Sequence, residues 1–393
     1  MSDSTTVPEA RLVQDMIPVE LDETGFSTDV EREDIGERID SPFDPDLIEV
    51  QTRNPTVGLL LNRIRRGTID LAPDFQRRAG IWTLKAQSRL IESLLLRITL
   101  PTLYAAEGED DTWAIVDGIQ RLSTIARFVA PEDIDAEALR LTGLEYLTEF
   151  NGYLFTDLPG RLQTRIEETE LVVLLIRRGT PEEVKFNIFA RINTGGRALT
   201  RQELRHALIP GPARAFLADL ARSDAFRRAT GESVSPERMS DREMCLRFLA
   251  FTLTPPDAYA SGDFDDFLRK AMHQVNNADD RERDALRERF LKAMDAGSAV
   301  FGEHAFRKRF RGTGRRSPVN KALFESQSVT LSGYTTPEIE LLSARRAQVE
   351  EGFLGLMEDP DFFNAVSAGT GDVNKVKLRF RLLDEMFREV LNA

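Results

Sequence analysis

The sequence predicts an α+β protein in which an N-terminal α/β domain is followed by an all-helical domain. Short apolar strand segments alternate with amphipathic helices up to about residue 210. Strand signals fade beyond about residue 213, where helices are broken by loops rich in Pro and Gly. A chain of 393 residues is long enough for such a division. We therefore predict an acidic disordered tail at residues 1–45, an α/β domain at 46–210 and a helical domain at 211–393.

The first fifty residues differ from the rest of the chain in charge. They hold fifteen Asp and Glu against three Arg, whereas the remainder holds 50 acidic and 49 basic residues. A segment so acidic and so low in aromatics buries too little apolar surface to offset its ordering entropy. It is either a solvated tail or an acidic mimic that covers a basic site. Because the body is nearly neutral, the net charge of −13 does not exclude a nucleotide or nucleic-acid partner.

The elements of the α/β domain follow from periodicity and capping. Helices are predicted at residues 57–65, 84–96, 118–129 and 181–192, with another starting at Thr200, and strands at 69–71, 102–105, 112–116 and 170–177. The continuous apolar run at 171–176 is typical of a buried central strand. Thr180 before Pro181 is an N-cap pattern, and Thr200 with Glu203 is a capping-box pattern.

Cysteine, histidine and hydropathy patterns exclude several classes of protein. The single cysteine, Cys245, cannot form an intrachain disulfide and is expected to be a buried thiol. His206, His273 and His304 are not spaced as metal ligands, so we expect structural or surface roles for them. No signal-peptide pattern and no apolar run of about 20 residues is present. We therefore expect a cytoplasmic protein without a membrane partner.

The junction at residues 112–129 carries the most chemistry, because a strand runs through Asp117-Gly118 directly into a helix. Helix N-termini bind anions, and glycine permits a sharp turn and a close approach. The predicted core face is Ile119, Leu122, Ile125, Ala126 and Val129, and the opposite face holds Asp117, Gln120, Arg121 and Thr124. Arg121 could clamp a phosphate, and Asp117 could hold a metal ion or accept a proton. An Asp-Gly turn before a helix is nevertheless common in purely structural settings.

Further polar residues could converge on this junction. Gln76 and Arg77 follow the first strand, and Arg191 and Asn193 lie where a helix ends before a Gly-Gly turn. With Gly118, Ser123 and Thr124 they complete the candidate phosphate-binding set. Taken singly, Arg77 and Arg191 fit salt-bridged surface residues better than a phosphate site.

The densest positive stretch lies in the helical domain. It comprises Arg307, Lys308, Arg309, Arg311, Arg315 and Arg316, with Phe310 between bases and Gly312 and Gly314 after it. Clustered bases with an interleaved aromatic suit a nucleic-acid backbone. A solvated helix end explains the pattern equally well.

An ordered set of motifs resembles a known family. The set is Phe75-Gln76-Arg77, Trp82, Leu90-Ile91-Glu92-Ser93, Pro101, Tyr104, Asp117-Gly118-Ile119-Gln120-Arg121-Leu122, Phe189-Ala190-Arg191-Ile192-Asn193-Thr194-Gly195-Gly196 and Gln202-Glu203-Leu204-Arg205. Over about residues 50–210 it resembles the ParB/sulfiredoxin-like domain of the GmrS type. The stretch Arg315-Arg316 to Asn320–Phe324 is similar to a weaker pattern in the helical part of such proteins.

The resemblance implies a bacterial anti-phage or restriction-type protein that binds and hydrolyses a nucleoside triphosphate with Mg²⁺. Asp117, Gln120 and Arg121 match the family motif Asp-Gly-Gln-Gln-Arg, in which Asp117 would hold Mg²⁺ or act as base. Arg77 and Arg121 would neutralise phosphate, and Gln120 would position phosphate or water.

This sequence departs from the family pattern at two points. Ile119 replaces the first Gln of the motif, which puts hydrolysis in doubt, although position 119 lies on the predicted core face. Many relatives carry a C-terminal His-Asn-His nuclease domain, and the three histidines here do not fit one. We therefore expect a stand-alone form, with a separate nuclease or defence-system subunit as a possible partner alongside DNA.

Two other functions stay open. One is a non-catalytic module in which a nucleotide switches the grip on DNA or on a partner protein. The other is a metal-dependent DNA nickase, for which no second carboxylate with obvious metal spacing accompanies Asp117.

Overall fold

The computed structural model describes residues 14, 16–21, 25, 27–35, 45–71, 82–192, 199–260 and 262–393. The chain divides into two compact units. The sheet unit is Ser41–Leu208, and the helical unit combines Met1–Asp40 with Ile209–Ala393. The predicted α+β class is confirmed, because a five-stranded sheet lies in the first unit and the region beyond residue 200 is largely helical. The ParB/sulfiredoxin-like fold stays a prediction.

The sheet unit is organised around a mixed five-stranded sheet. Its strands are β3 (Val50–Arg53), β4 (Ile69–Asp70), β5 (Leu103–Glu107), β6 (Trp113–Asp117) and β7 (Val173–Ile176). They are arranged in the order β3-β7-β5-β6-β4. Parallel pairs β5/β7 and β4/β6 alternate with antiparallel pairs β3/β7 and β5/β6. The apolar run at 171–176 therefore supplies an inner strand, as its composition predicts.

Helices cover the sheet and bury a common apolar core. They are α1 (Val57–Arg65), α2 (Leu84–Leu95), α3 (Ile119–Val129), α4 (Gly160–Glu167), α5 (Glu182–Ile192) and α6 (Arg201–Leu208). Ile91 of α2, Ile115 of β6, Leu122 and Ile125 of α3 and Val173 of β7 are fully buried together. Burying each such side chain stabilises the unit by about 1.5–3 kcal/mol. This packing fixes α3 against the sheet.

The helical unit is built from short and medium helices around an aromatic core. They are α7 (Pro212–Arg222), α8 (Asp224–Thr230), α9 (Ser240–Leu253), α10 (Phe264–Asn277), α11 (Asp280–Phe301), α12 (Lys321–Ser332), α13 (Thr336–Ala344), α14 (Arg346–Glu358), α15 (Pro360–Ala365) and α16 (Val373–Asn392). Phe248, Phe290 and Phe324 are buried, and Phe248 packs edge-on against Phe290 with ring centroids 5.2 Å apart. None of the described helices is long and apolar enough to cross a bilayer.

The acidic N-terminal segment differs from the sequence expectation where the structure describes it. The sequence predicts a mostly disordered tail, but β1 (Val19–Leu21) and β2 (Ser27–Glu31) pair as an antiparallel two-stranded sheet. Backbone N–H groups of Glu31 and Val319 complete two hydrogen bonds of 2.8 Å between β2 and the residues before α12. The ordering entropy is offset by ion pairs to residues almost 300 positions away, which local composition cannot reveal.

A buried ionic network lies inside the helical unit. Arg247 contacts Glu33, Glu243 and Glu325, and Arg379 donates to Glu325 and to the Thr370 carbonyl. Arg247, Glu325 and Arg379 are fully buried. Burial raises the pKa of the Glu325 carboxyl, and the two arginines oppose that rise. Charges this deep persist only when each has a partner.

Candidate functional site

The β6–α3 junction turns at a glycine that no other residue could replace without strain. Gly118 has φ +91°, in the left-handed region, and forms the N-cap of α3. A Cβ atom at this position would lie 2.1 Å from Leu103 Cδ2. Ile119 is only 6% exposed, so the core face that the spacing predicts is confirmed at this position. The isoleucine therefore serves packing.

Arg121 is held by the protein's own acceptors. Its guanidinium donates to the carbonyl of Pro101, to the carbonyl of Thr102 at 3.3 Å, and to Asp117 Oδ2 at 3.0 Å. The side chain is 11% exposed. An arginine so engaged braces the entry to β5 against the end of β6. To clamp a phosphate, as the sequence suggests, Arg121 would have to exchange some of these hydrogen bonds for bonds to the phosphate.

Asp117 remains partly accessible at the end of β6. Its carboxylate accepts from Arg121, which follows it at i+4 spacing, and its side chain is 36% exposed. Among the described residues, Asp117 does not belong to a group of three or more Asp, Glu, His or Cys that could hold a metal ion. A metal ion here would therefore need further ligands from its substrate or from water.

The polar face of α3 lines an open cavity of about 760 Å³. Gln120, Ser123, Thr124 and Arg127, at i, i+3, i+4 and i+7, all border it. The other walls come from α1, β4, α2 and the loop at residues 131–137. Thus α3 presents two different polar sites, since Gln120, Ser123 and Thr124 face this cavity while Asp117 and Arg121 do not border it.

The cavity combines one anchored cation with an acidic rim. Arg127 donates at 2.9 Å to Gln87 Oε1 and at 2.9 Å to the Glu137 carbonyl. The rim residues are Asp70, Glu132, Asp133, Asp135 and Glu137. Asp133 is paired with Arg65 at 3.0 Å. The Oγ atom of Ser123 is buried and has no hydrogen-bond partner among the described residues. An unsatisfied buried hydroxyl costs free energy unless a ligand or water completes it.

A carboxylate clamp lies further along α2, which contributes Gln87 to the cavity. Glu92 is 3% exposed and accepts from the backbone N–H groups of Glu145, Tyr146 and Leu147 at 2.7–3.0 Å. Burial raises the pKa of Glu92, but these three donors outweigh it and the pKa lies below its usual range. The clamp fixes the loop that follows residue 144 onto α2.

Several sequence-predicted residues lie elsewhere or beyond the described chain. Gln76, Arg77 and Asn193 lie outside the described residues. Arg191 is exposed near the end of α5. The predicted capping box is present, with Thr200 Oγ1 accepting from the Glu203 N–H at 3.1 Å. The periodicity of α3 extended by one turn would have added Arg127 to the candidate set, but nothing local predicts Gln87.

The basic segment, defined here as residues 307–316, is largely neutralised within the helical unit. Arg307 and Lys308 are 1% and 3% exposed, so they do not belong to a solvated helix end, and their predicted role in nucleic-acid binding stays a prediction. Arg309 pairs with Glu350 at 2.6 Å, and Arg311 pairs with Glu351 and Glu358 at 2.6 Å. The remaining members are exposed: Arg315, whose carbonyl accepts from Gln14 at 2.8 Å, and Arg316, which pairs with Asp29 at 3.2 Å.

Comparisons with known proteins add one finding. Neither a curated protein nor a solved structure matches the chain. A family model does match, and its span contains the β6–α3 junction and the cavity. Residues 57–210 match the family described as the GmrSD restriction endonuclease, N-terminal domain, and this part of the chain is similar to that domain.

Proposed function

We propose that this protein is a restriction-type phage-defence protein that acts on DNA and that its sheet unit binds and hydrolyses a nucleoside triphosphate. The observation that carries the proposal is the GmrSD N-terminal match over residues 57–210, the segment that holds the polar face of α3. Defence and DNA follow from that family, the nucleotide is what the resemblance of the motif at Asp117 implies, and the cavity is the place that we assign to it.

The size and lining of the cavity suit a nucleotide. Small-molecule sites typically enclose about 300–1,000 Å³, and this one encloses about 760 Å³. Apolar side chains of Ile64, Ile69 and Leu71 can pack against a base, while Gln120, Ser123 and Thr124 offer donors and acceptors. Ser123 is the sharpest indicator, because its buried hydroxyl lacks a partner among the described residues.

Charge favours a nucleotide that arrives with Mg²⁺. Among the described residues, five carboxylates border the cavity against one arginine, and one of the five, Asp133, is paired with Arg65, so the remaining acidic groups disfavour a bare polyphosphate. Mg²⁺ typically binds one or two protein carboxylates together with substrate phosphates and water. The acidic rim therefore supports a Mg²⁺–nucleotide complex as the ligand.

Within this proposal Asp117 and Arg121 have separate roles. Asp117 does not border the cavity, so its proposed role as general base or Mg²⁺ ligand requires a nucleotide that extends from the cavity to the end of β6, where this carboxylate is 36% exposed. Arg121 positions Asp117 and the entry to β5 through the Pro101 and Thr102 carbonyls. The sequence suggests a direct phosphate contact for Arg121. In the present conformation we assign it this positioning role instead.

A second candidate function is a nucleotide switch without turnover. Family members carry a Gln at the position of Ile119, and here that position is buried and does not reach the site. Arg121 is already paired with Asp117. Nucleotide would then change the grip on DNA without phosphate release. A metal-dependent nickase would instead need plasmid cleavage that disappears with Arg121→Ala.

The first experiment measures binding and turnover together. Purified protein is titrated calorimetrically with ATP, GTP, CTP and UTP in Mg²⁺, and phosphate release is followed with and without DNA. Ser123→Ala should leave the free energy of unfolding unchanged or raise it, yet weaken binding about 2- to 10-fold, the worth of one hydrogen bond. Ser93→Ala is the matched control, since Ser93 lies on α2 and its hydroxyl donates to the Arg89 carbonyl.

Outcomes separate the alternatives. Turnover lost in Asp117→Ala supports hydrolysis, and binding without turnover supports the switch. No binding of any nucleotide overturns the nucleotide part. Arg165→Ala controls for Arg121→Ala, because Arg165 also braces a backbone carbonyl, that of Leu95 at 2.8 Å. Plaque counts on cells that express the same variants test the defence part.

A further inference from the structure

The acidic strand segment, defined here as residues 27–35, meets the basic segment within the helical unit. Asp29 Oδ2 lies 2.8 Å from Arg307 Nη1 and 3.2 Å from Arg316 Nη2. Glu31 Oε1 lies 2.7 Å from Lys308 Nζ. Two carboxylates of the chain's N-terminal part thus occupy three cations of the segment with the greatest density of positive charge.

These carboxylates are the neutralising groups for the three cations. Within the described ranges, every ion pair of Arg307, Lys308 and Arg316 goes to Asp29 or Glu31. The deeper cation Arg247 differs, since Glu243 and Glu325 neutralise it in addition to Glu33 of the acidic strand.

Burial makes an anion at this place necessary. Arg307 and Lys308 are almost fully buried, and a buried cation that loses its counter-ion strongly destabilises the folded state. Phosphate oxygens meet the same demand, because guanidinium groups bind phosphate and carboxylate with the same forked geometry. An anionic polymer could therefore replace the acidic strand without leaving the cations unpaired.

The acidic strand makes further contacts besides these ion pairs: Asn320 donates to Glu31 at 3.0 Å, Glu33 pairs with Arg247, and the Thr370 N–H donates to the Asp34 carbonyl. β2 pairs with the three-residue β1, and two-stranded sheets are marginal in water. Its apolar anchor is Val30, which is 1% exposed. Two backbone hydrogen bonds of 2.8 Å join Asp29 and Glu31 to Val319. Exchange for another anion therefore has to be a local opening of residues 27–31 that leaves Glu33 paired with Arg247.

We propose that Arg307, Lys308 and Arg316 form a nucleic-acid phosphate site and that the acidic strand is its intramolecular occupant. DNA and the strand compete for the same cations, so the strand restrains DNA binding until it is displaced. The choice of DNA as ligand rests on the proposed DNA-acting function. It does not depend on nucleotide binding by the sheet unit.

The test replaces the two carboxylates of the acidic strand, in the full chain, by amides of nearly the same shape. The double variant Asp29→Asn/Glu31→Gln should bind a 30-base-pair duplex about ten-fold more tightly than the unaltered protein at moderate salt. Its affinity should also fall more steeply with salt, by about 0.9 in log–log slope per added phosphate contact. Adding Lys308→Gln should return both quantities toward their original values.

A matched control separates competition from general charge. Asp219→Asn/Glu385→Gln removes two carboxylates from exposed surface pairs with Arg222 and Arg381 and gives the same change in net charge. Its DNA affinity should change little. If the control binds as tightly as the strand variant, or if the folded strand variant binds no more tightly than the unaltered protein, the proposal is overturned.

Hydrogen exchange on the unaltered protein gives a second readout that needs no variant. Saturating duplex DNA at low salt should speed exchange of the Glu31 and Val319 amides, whose hydrogen bonds join the strand to the helical unit. Unchanged protection with DNA bound would overturn the proposal. Nucleotide titration tests the sheet unit separately, so failure here leaves the nucleotide part of the proposed function standing.

Discussion

Gly118→Ala should destabilise the sheet unit by about 2–5 kcal/mol. An L-residue in the left-handed region costs about 1–2 kcal/mol, and Gly118 has φ +91°. The new methyl group would lie 2.1 Å from Leu103 Cδ2, a side chain that is 2% exposed. Overpacking of this kind adds about 1–3 kcal/mol, and the sum of the backbone and packing contributions gives the expected loss of stability.

Tryptophan fluorescence during urea unfolding measures this change in the correct unit. Both tryptophans, Trp82 and Trp113, lie within Ser41–Leu208, so their emission reports on the sheet unit. Far-UV circular dichroism is dominated by the helical unit and should change little. A two-unit chain need not unfold in one step, so the two signals are fitted separately.

A double-mutant cycle with Leu103→Ala tests the steric half of the argument. Leu103→Ala alone should cost about 2–5 kcal/mol as a buried leucine truncation. The double variant should cost less than the sum by at least about 1 kcal/mol, because the clashing atom is gone. Strict additivity, or a Gly118→Ala cost below about 0.5 kcal/mol, would refute the reasoning.

Three further predictions concern buried polar groups. Glu92→Gln should destabilise the sheet unit by about 2 kcal/mol, because three charge-assisted bonds to residues 145–147 weaken. Because the backbone donors lower the pKa of Glu92, its contribution to the free energy of unfolding is present at neutral pH and is lost as pH falls below about 4.3 and through the folded-state pKa. Urea unfolding measured from pH 7 to 3 should therefore show a smaller loss of stability with acid in the variant than in the unaltered protein, and equal losses would contradict this. Glu325→Gln should cost about 3–5 kcal/mol by circular dichroism, since Arg379 loses its counter-charge. Cys245 should resist a thiol reagent until urea is added, because burial raises its pKa well above the usual range; rapid labelling of the folded protein would show otherwise.

Local periodicity was sufficient to predict most of the sheet unit. The strand at Asp117, the glycine turn and the buried position of Ile119 all follow from residue type and spacing within one turn. β3 was missed, because Val50–Arg53 is a short edge strand with three exposed residues and no apolar alternation. Edge strands bury little, so their sequences carry little signal.

The chemistry of the site was only partly predictable. The i+4 spacing of Asp117 and Arg121 already indicates an ion pair, but the carbonyls of Pro101 and Thr102 come from another strand. The basic segment illustrates the same limit, since its density is visible while the burial of Arg307 and Lys308 depends on carboxylates far away in the sequence. Local patterns describe which groups are present, and tertiary structure decides whether they are satisfied.

The discontinuity of the helical unit has a consequence for the order of folding during synthesis. The sheet unit is one continuous stretch and can fold once residue 208 has emerged. Glu31 must wait for Lys308, 277 residues later, which takes about 15–55 s at ribosomal rates of about 5–20 residues per second. Throughout that interval the acidic strand is synthesised but unpaired. In a nascent chain the carboxylates of the acidic strand are therefore not yet neutralised by the basic segment, and the final charge distribution is reached only when the chain up to α12 has been made.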